Sequence, residues 1–174
     1  MSQGGGGYDL ISIGFGDIGI FDKKYERTIL QIAGTIIVGN RVTLGPGSRL
    51  CVLKEGTLYF SGRFHNSARL SVVCGNRIYL GDYVIASWDV LLIDDDFHSY
   101  IDTNTGKKNL ITGKITIGNN VWLCARSVIL KNSVIPNDSI VSAGTIVNSR
   151  FEQNGIIISS PKSAIIKSDV KFCG

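Results

Sequence analysis

Residues 117–147 read IGNNVWLCARSVILKNSVIPNDSIVSAGTIV, and an aliphatic residue occupies every sixth position of this stretch. The series consists of Ile117, Leu123, Ile129, Ile135, Val141 and Val147. Small or β-branched residues follow its first five members at an interval of four: Val121, Ser127, Ser133, Ser139 and Thr145. Neither the 3.6-residue period of an α-helix nor the two-residue period of a strand generates this spacing. A solenoid does, because each hexad supplies one flat face and one corner of a coil.

The same spacing recurs upstream in three shorter runs, which are Val38-Leu44-Leu50, Leu58-Phe64-Leu70 and Leu80-Ala86-Leu92. The intervals between successive runs are 8, 10 and 25 residues, none of which is a multiple of six. Each junction therefore contains inserted residues that bulge at a corner or leave the coil. The largest insertion, between Leu92 and Ile117, contains His98, one of only two histidines in the chain.

The composition is that of one β-rich domain large enough to bury a core. The chain has 174 residues, of which 44% are hydrophobic, with 21 glycines and only 3 prolines. Glycine-asparagine pairs at 39–40, 75–76 and 118–119 are typical of tight corners. The cysteines lie far apart without a C-x-x-C pair, so free thiols are favoured over a zinc or redox site. They are Cys51, Cys74, Cys124 and Cys173.

Charge and targeting signals narrow the class of partner. The net charge of +4 is too small to indicate nucleic acid. From Lys114 onward, seven basic residues face three acidic ones, which indicates either a solvated surface or a site for an anionic ligand such as a phosphorylated cofactor. No apolar run approaches the ~18 residues of a membrane span. The Gly4–Gly7 run does not resemble a secretory signal, so a cytoplasmic location is expected.

Four segments, in order, resemble one protein family. Residues 93–98 (IDDDFH) are similar to the D-x-D-F-H segment of acetyltransferases of surface-polysaccharide synthesis. Residues 117–122 (IGNNVW) and 142–147 (SAGTIV) resemble the I-G-N-N-V-W and A-A-G-S-V-V segments of maltose, galactoside and xenobiotic O-acetyltransferases. Residues 160–167 resemble their terminal N-P-A-K-x-I-K, although the usual preceding glycine is missing and one residue is extra. The chain is thus identified, over about residues 36–170, as similar to the hexapeptide-repeat acyltransferases.

The resemblance implies an all-β fold, the left-handed parallel β-helix. Three hexads then form one triangular coil, and successive coils stack at ~4.8 Å by parallel strand pairing. We expect an N-terminal capping segment at 1–31, a β-helix at 32–150 with a loop excursion at 94–116, and a C-terminal tail at 151–174 that packs on the helix. In this family prisms assemble as homotrimers with active sites between subunits, so the excursion is expected to reach a neighbour.

The implied activity is acetyl-CoA-dependent O-acetylation of a saccharide in surface-polysaccharide biosynthesis. His98 is the predicted general base, because a neutral imidazole accepts a hydroxyl proton near neutral pH and functional groups concentrate in such excursions. Either Asp94 or Asp96 is expected to assist it, and Asp96 and Trp88 are expected at the acceptor. No serine or cysteine nucleophile is indicated, which favours direct attack by the acceptor. The oxyanion donor has no sequence signature.

The resemblance also implies where acetyl-CoA binds. The expected cofactor contacts are Trp122, Ala125, Ala143, Gly144, Lys162 and Lys167, with the two lysines as phosphate partners. No metal is expected, since a zinc hydratase of this fold needs three histidine ligands and the chain has only His65 and His98. His65 follows the inward Phe64 and is expected to point outward without a role. Two alternatives stay open: an N-acetyltransferase acting on an amino sugar, and a catalytically silent β-helix scaffold.

Overall fold

The structure is a computed structural model that describes residues 10–16, 18–22 and 24–159, together with the backbone of 164–167. These residues form 19 strands and no helix. The strands belong to three sheets, which we name faces A, B and C, and the chain visits the faces in that order from one coil to the next. The described residues thus include no helix of the length and hydrophobicity that a membrane crossing requires.

Face A contains eight strands, which are β1 (Ile11–Ile13), β4 (Val42–Leu44), β7 (Phe64–Asn66), β10 (Val84–Ala86), β13 (Val121–Leu123), β16 (Ile140–Val141), β18 (Ile157–Ser159) and β19 (Ala164–Lys167). Face B contains six, which are β2 (Ile29–Ile32), β5 (Arg49–Val52), β8 (Ser71–Cys74), β11 (Leu91–Ile93), β14 (Val128–Leu130) and β17 (Ile146–Val147). Face C contains five, which are β3 (Thr35–Val38), β6 (Thr57–Phe60), β9 (Arg77–Leu80), β12 (Lys114–Ile117) and β15 (Val134–Ile135).

Every strand from β1 to β18 pairs in parallel with the strand one coil away, so the chain forms a three-sided left-handed parallel β-helix. This confirms the predicted fold class. The first coil consists of β1, β2 and β3, and the next four coils repeat the order A, B, C. The sixth coil contains β16 and β17, and only an isolated bridge between Val134 and Arg150 continues face C there. The seventh rung of face A is β18, and β19 then turns back antiparallel to it.

The six-residue series forms the core of the prism. All six of its members from Ile117 to Val147 are at most 1% exposed. They lie directly above one another on the three faces: Ile117 pairs with Ile135, Leu123 with Val141, and Ile129 with Val147. The small residues of the second series are also buried, since side chains inside a corner have little room. Burial of these ladders is the main stabilising contribution to the coils.

The coils extend beyond both ends of the region that the spacing marked. Strands β1 and β2 pair with β4 and β5, so a first coil precedes residue 32, the expected start of the helix. The connection from β1 to β2 is too long to keep the hexad interval, and all four side chains of β2 are exposed. At the other end, Ile156 and Ile158 are buried, and β18 continues face A. The tail thus supplies a further rung of the prism.

The corner between faces A and B, which we name the AB corner, has a left-handed residue in five successive coils. These residues are Gly47, Arg69, Asp89, Arg126 and Gly144, with φ between 53° and 71°. The Asp89 carboxylate lies 3.2 Å from Nε of Arg69 and 4.0 Å from Nε of Arg126. These ion pairs link three neighbouring coils at positions where the backbone conformation itself is unfavourable for residues other than glycine.

Candidate active site

Residues 94–113 leave the prism between β11 on face B and β12 on face C, at the corner that we name the BC corner. The excursion has two arms that meet in isolated antiparallel bridges, one between Asp95 and Thr112 and one between Ile101 and Lys108. At its tip, Asp102 accepts hydrogen bonds from the backbone N–H groups of Asn104 and Thr105, both at 2.8 Å. The excursion is thus an ordered arm that projects from one edge of the prism.

His98 lies on the outgoing arm and is exposed. Its backbone N–H donates to the Asp96 carbonyl at 2.7 Å, and Phe97 between them has a φ of 58°. Among the described residues, the imidazole of His98 makes no hydrogen bond or ion pair, so it is open to a group from outside the subunit.

Asp94 serves the fold rather than His98. Its side chain is fully buried, and its carboxylate accepts hydrogen bonds from the backbone N–H groups of Gly75 at 2.5 Å, Asn76 at 3.1 Å and Arg77 at 2.7 Å. These groups form the BC corner of the preceding coil. Burial raises the pKa of Asp94, while the three N–H donors oppose this rise. The structure therefore argues against Asp94 as the residue that assists the imidazole.

Asp96 is paired with Lys131. The Lys131 ammonium donates to Oδ2 of Asp96 at 2.5 Å and to the Leu110 carbonyl at 2.6 Å, so one side chain joins both arms of the excursion. Lys131 follows β14 at the BC corner of the next coil, directly below the root of the excursion, because Ile93 pairs with Leu130. Sequence reasoning missed this role. Only the pairing of Ile93 with Leu130 could have revealed it, and the long insertion between these two strands hides that pairing in the sequence.

Asp96 also borders a cavity beside the excursion. The cavity has a volume of about 520 Å³ and is lined by Asp95, Phe97, Lys131, Asn132 and Asn148 as well. It lies on the face B side of the excursion, and His98 is not among its lining residues. Among the described residues, no group of three or more His, Cys, Asp or Glu side chains is arranged to hold a metal ion.

The other predicted site residues lie together on face A and at the AB corner. Trp122 is the outward residue of β13, is 37% exposed, and donates from Nε1 to the Ser87 hydroxyl at 3.0 Å. The backbone N–H of Arg126 donates to the Trp88 carbonyl, and that of Gly144 to the Ala125 carbonyl, each at 3.0 Å. Trp88, Ala125 and Ala143 therefore occupy equivalent corner positions in three successive coils, and Gly144 follows at the position of Asp89 and Arg126.

Within the described residues, this part of the corner is open. Ala143 and Gly144 are exposed, and a Cβ built on Gly144 would meet no atom of the described residues within 4 Å. An extended chain can therefore lie against this backbone without meeting a side chain that the structure describes. Lys162 lies outside the described residues, and Lys167 is described only by its backbone in β19.

The structure thus separates the predicted residues into two groups on opposite sides of the prism. His98 and Asp96 belong to the excursion at the BC corner, whereas Trp122 stands in the middle of face A, the face opposite that corner. In a triangular prism a corner and the opposite face cannot meet. One subunit therefore does not bring the imidazole to the indole.

Comparisons with known proteins agree with this architecture. No protein-family model and no curated protein matches the chain. Among solved structures, it is similar to the polysialic acid O-acetyltransferase OatWY, with a TM-score of 0.60 and 17% identity over 84% of this chain and 90% of OatWY. The chain therefore shares its β-helix fold with this structure. The polySia specific acetyltransferase NeuO matches with a TM-score of 0.53 and 17% identity over 80% of this chain, which spans only 62% of NeuO.

A third similar structure is the N-acyltransferase AntD from Bacillus cereus in complex with dTDP and 3-hydroxybutyryl-CoA. Its TM-score is 0.54, and the identity is 19% over 92% of this chain and 77% of AntD. At these identities the similarities establish the fold.

Proposed function

We propose that the protein is an acetyl-CoA-dependent O-acetyltransferase that acetylates a saccharide hydroxyl in surface-polysaccharide biosynthesis. The observation that carries this proposal is the exposed imidazole of His98. It lies on the excursion, whose two arms are both bonded to Lys131. The similarity of the fold to two polysialic acid acetyltransferases supports it.

In the proposed reaction, an unprotonated ring nitrogen of His98 accepts the proton of the acceptor hydroxyl. The hydroxyl oxygen attacks the thioester carbonyl carbon, and the tetrahedral intermediate expels the CoA thiolate. The thiolate then takes the proton from the imidazolium, which restores the base. No acyl-enzyme is formed.

Acetyl-CoA is the proposed donor, and it supplies the activated thioester. The open AB corner at Ala125, Ala143 and Gly144 fits a long, flexible pantetheine arm, and Trp122 stands beside it. Lys162 and Lys167 remain the proposed phosphate partners. The structures of AntD with CoA compounds support an acyl-CoA donor.

The separation of His98 from Trp122 makes the proposed site incomplete in one subunit. We therefore propose a homotrimer in which the excursion of one copy reaches face A of the next. Each cleft then joins a histidine from one subunit to the indole and open corner of its neighbour.

A second candidate is N-acetyl transfer to an amino sugar. It is favoured by the similarity to AntD, an N-acyltransferase crystallised with dTDP-4-amino-4,6-dideoxyglucose and coenzyme A. The same base would serve an amine, so the product distinguishes the two reactions. An O-acetyl ester is cleaved by mild alkali, whereas an amide is stable. The scaffold alternative predicts no acetyl transfer at all.

The test measures thiol release from acetyl-CoA with a panel of sugars. Loss of a general base lowers the rate by about 100-fold or more, so we expect this loss for His98→Ala. Thr103→Ala, at the exposed tip of the same excursion, serves as the matched control and should retain activity. Equal rates for wild type and His98→Ala would remove the proposed base.

A further inference from the structure

Face A carries a groove on the N-terminal side of Trp122. The outward residues Thr43, His65, Ile85 and Trp122 follow one another in register across β4, β7, β10 and β13. Adjacent parallel strands are ~4.8 Å apart, so His65 stands two rungs, or about 10 Å, from Trp122. The groove lies around His65 and has a volume of about 300 Å³.

Cationic side chains form one wall of this groove. Arg41, Arg63 and Tyr83 line it from the corner between faces C and A, and Thr43, His65 and Ile85 form its floor. Among the residues that the structure describes, no carboxylate lines it. Arg63 has one acidic neighbour outside the lining, Asp82, whose Oδ1 lies 3.9 Å from the Arg63 Nε.

Arg63 is held in place before any ligand binds. Its guanidinium carbon lies 3.5 Å from the centroid of the Tyr83 ring. The same Asp82 oxygen accepts the backbone N–H groups of Arg63 at 2.6 Å and Tyr83 at 3.0 Å, which fixes the corner beneath the guanidinium. A planar guanidinium positioned in this way suits a carboxylate or a phosphate oxygen, and little side-chain entropy is lost on binding.

The groove is placed where an acceptor has to enter. The open AB corner at Ala125, Ala143 and Gly144, the proposed donor site, lies in the fifth and sixth coils, on the C-terminal side of Trp122. The groove lies in the second to fourth coils, on the N-terminal side. The acceptor hydroxyl and the thioester of the donor must come into contact before the hydroxyl can attack. A ligand in the groove would approach Trp122 from the side opposite the donor.

We propose that the groove lined by Arg41, Arg63 and His65 binds an anionic sugar residue of the acceptor, about two rungs from the residue that is acetylated. This inference rests on the proposed function, and it makes the acceptor an acidic oligosaccharide. Arg63 pairs with the acidic group, Arg41 adds positive charge, and His65 contributes a hydrogen bond from the floor.

The first test is binding, which needs no activity. Calorimetry with the full chain compares an oligogalacturonate, and separately a sugar phosphate oligomer, with the neutral methyl ester of the oligogalacturonate. We expect at least one acidic oligomer to bind about tenfold more tightly than the ester. Arg63→Gln should remove this difference, whereas Arg49→Gln, an exposed arginine on face B, should retain it. Equal affinities for acid and ester, no binding of either acid, or equal losses in both variants would overturn the proposal.

The second test separates the groove from the proposed chemistry. His98→Ala should bind the acidic oligomer like wild type, because His98 does not line the groove. In acetyl-transfer assays, Arg63→Gln should raise KM for an acidic acceptor about tenfold and leave kcat unchanged. Acid-selective binding without any acetyl transfer would sink the proposed function and keep the groove. Acetyl transfer with equal KM values in wild type and Arg63→Gln would overturn the groove and keep the proposed function.

Discussion

Asp94 and Asp96, which are two residues apart in the excursion, have different structural roles. Asp94 closes the corner of the coil above through three backbone N–H groups, and Asp96 holds the arm through Lys131. In a continued strand these two residues would lie on the same face, but β11 ends at Ile93 and the chain then leaves the prism, so Asp94 is buried and Asp96 is exposed. Two carboxylates only two residues apart therefore stabilise different elements.

Replacement of Asp94 by Asn should destabilise the protein. The amide presents N–H groups to some of the three donors, and an unpaired buried donor costs about 1–3 kcal/mol. Urea unfolding measures the change, and Glu55→Gln on the exposed surface is the control. A variant as stable as wild type would contradict the structural role of Asp94.

The difference in stability between wild type and Asp94→Asn should depend on pH, and the direction of this dependence follows from the pKa of Asp94. Because burial raises the pKa of Asp94 above its ordinary value of 3.8, the folded protein binds more protons than the unfolded chain in the window above that value. The free energy of unfolding contributed by Asp94 therefore falls as pH rises through the window and is constant beyond it. The advantage of wild type over Asp94→Asn should be largest at acid pH.

At the scale of the element, the excursion depends on one lysine of the next coil. Lys131 bonds to Asp96 on the outgoing arm and to the Leu110 carbonyl on the returning arm. The side chain of Lys131 is only 21% exposed, so solvent screens this pair less than a typical surface pair. The position of His98 is thus set from outside the excursion.

Lys131→Met should release the arms while leaving the prism intact. We expect faster amide hydrogen exchange across residues 95–112. We also expect kcat to fall by about tenfold or more, because misplacement of a catalytic group lowers the rate steeply. Lys131→Arg should restore part of the activity, and Lys107→Met at the exposed tip should behave like wild type. Unchanged exchange in the arms would show that Lys131 does not hold them.

The sequence predicted the regular elements well because their pattern is local. All members of the series from Ile117 to Val147 point into the core, as the hexad spacing requires. The contact between Asp96 and Lys131 joins residues 35 apart across an insertion without a period, so no spacing reveals it. His65 was correctly expected to point outward, but the groove around it is formed by corner residues from three coils.

At the scale of the whole molecule, the proposed site depends on two copies. His98 projects from the BC corner, and Trp122 stands on the opposite face. Neither group can compensate within its own subunit for the loss of the other. This arrangement makes a prediction that is independent of the acceptor's identity.

Subunits that carry His98→Ala and subunits that carry Trp122→Ala should each be inactive alone. Unfolded together and refolded as a mixture, they should regain a fraction of wild-type acetyl transfer, because some clefts then combine an intact histidine with an intact indole. Size-exclusion chromatography with light scattering should give the mass of a trimer. No recovery in mixed trimers, or a monomeric mass for the active wild type, would contradict the shared site.

The in-register stacking of face A makes the prism a molecular ruler. Each coil advances the outward column by one rung of ~4.8 Å, and the groove and the indole are anchored to particular rungs. Insertion or deletion of one complete coil between them changes their separation by that fixed increment and leaves both ends chemically intact. In the proposed site, the number of coils between the groove and the indole would therefore set which sugar of the acceptor is acetylated.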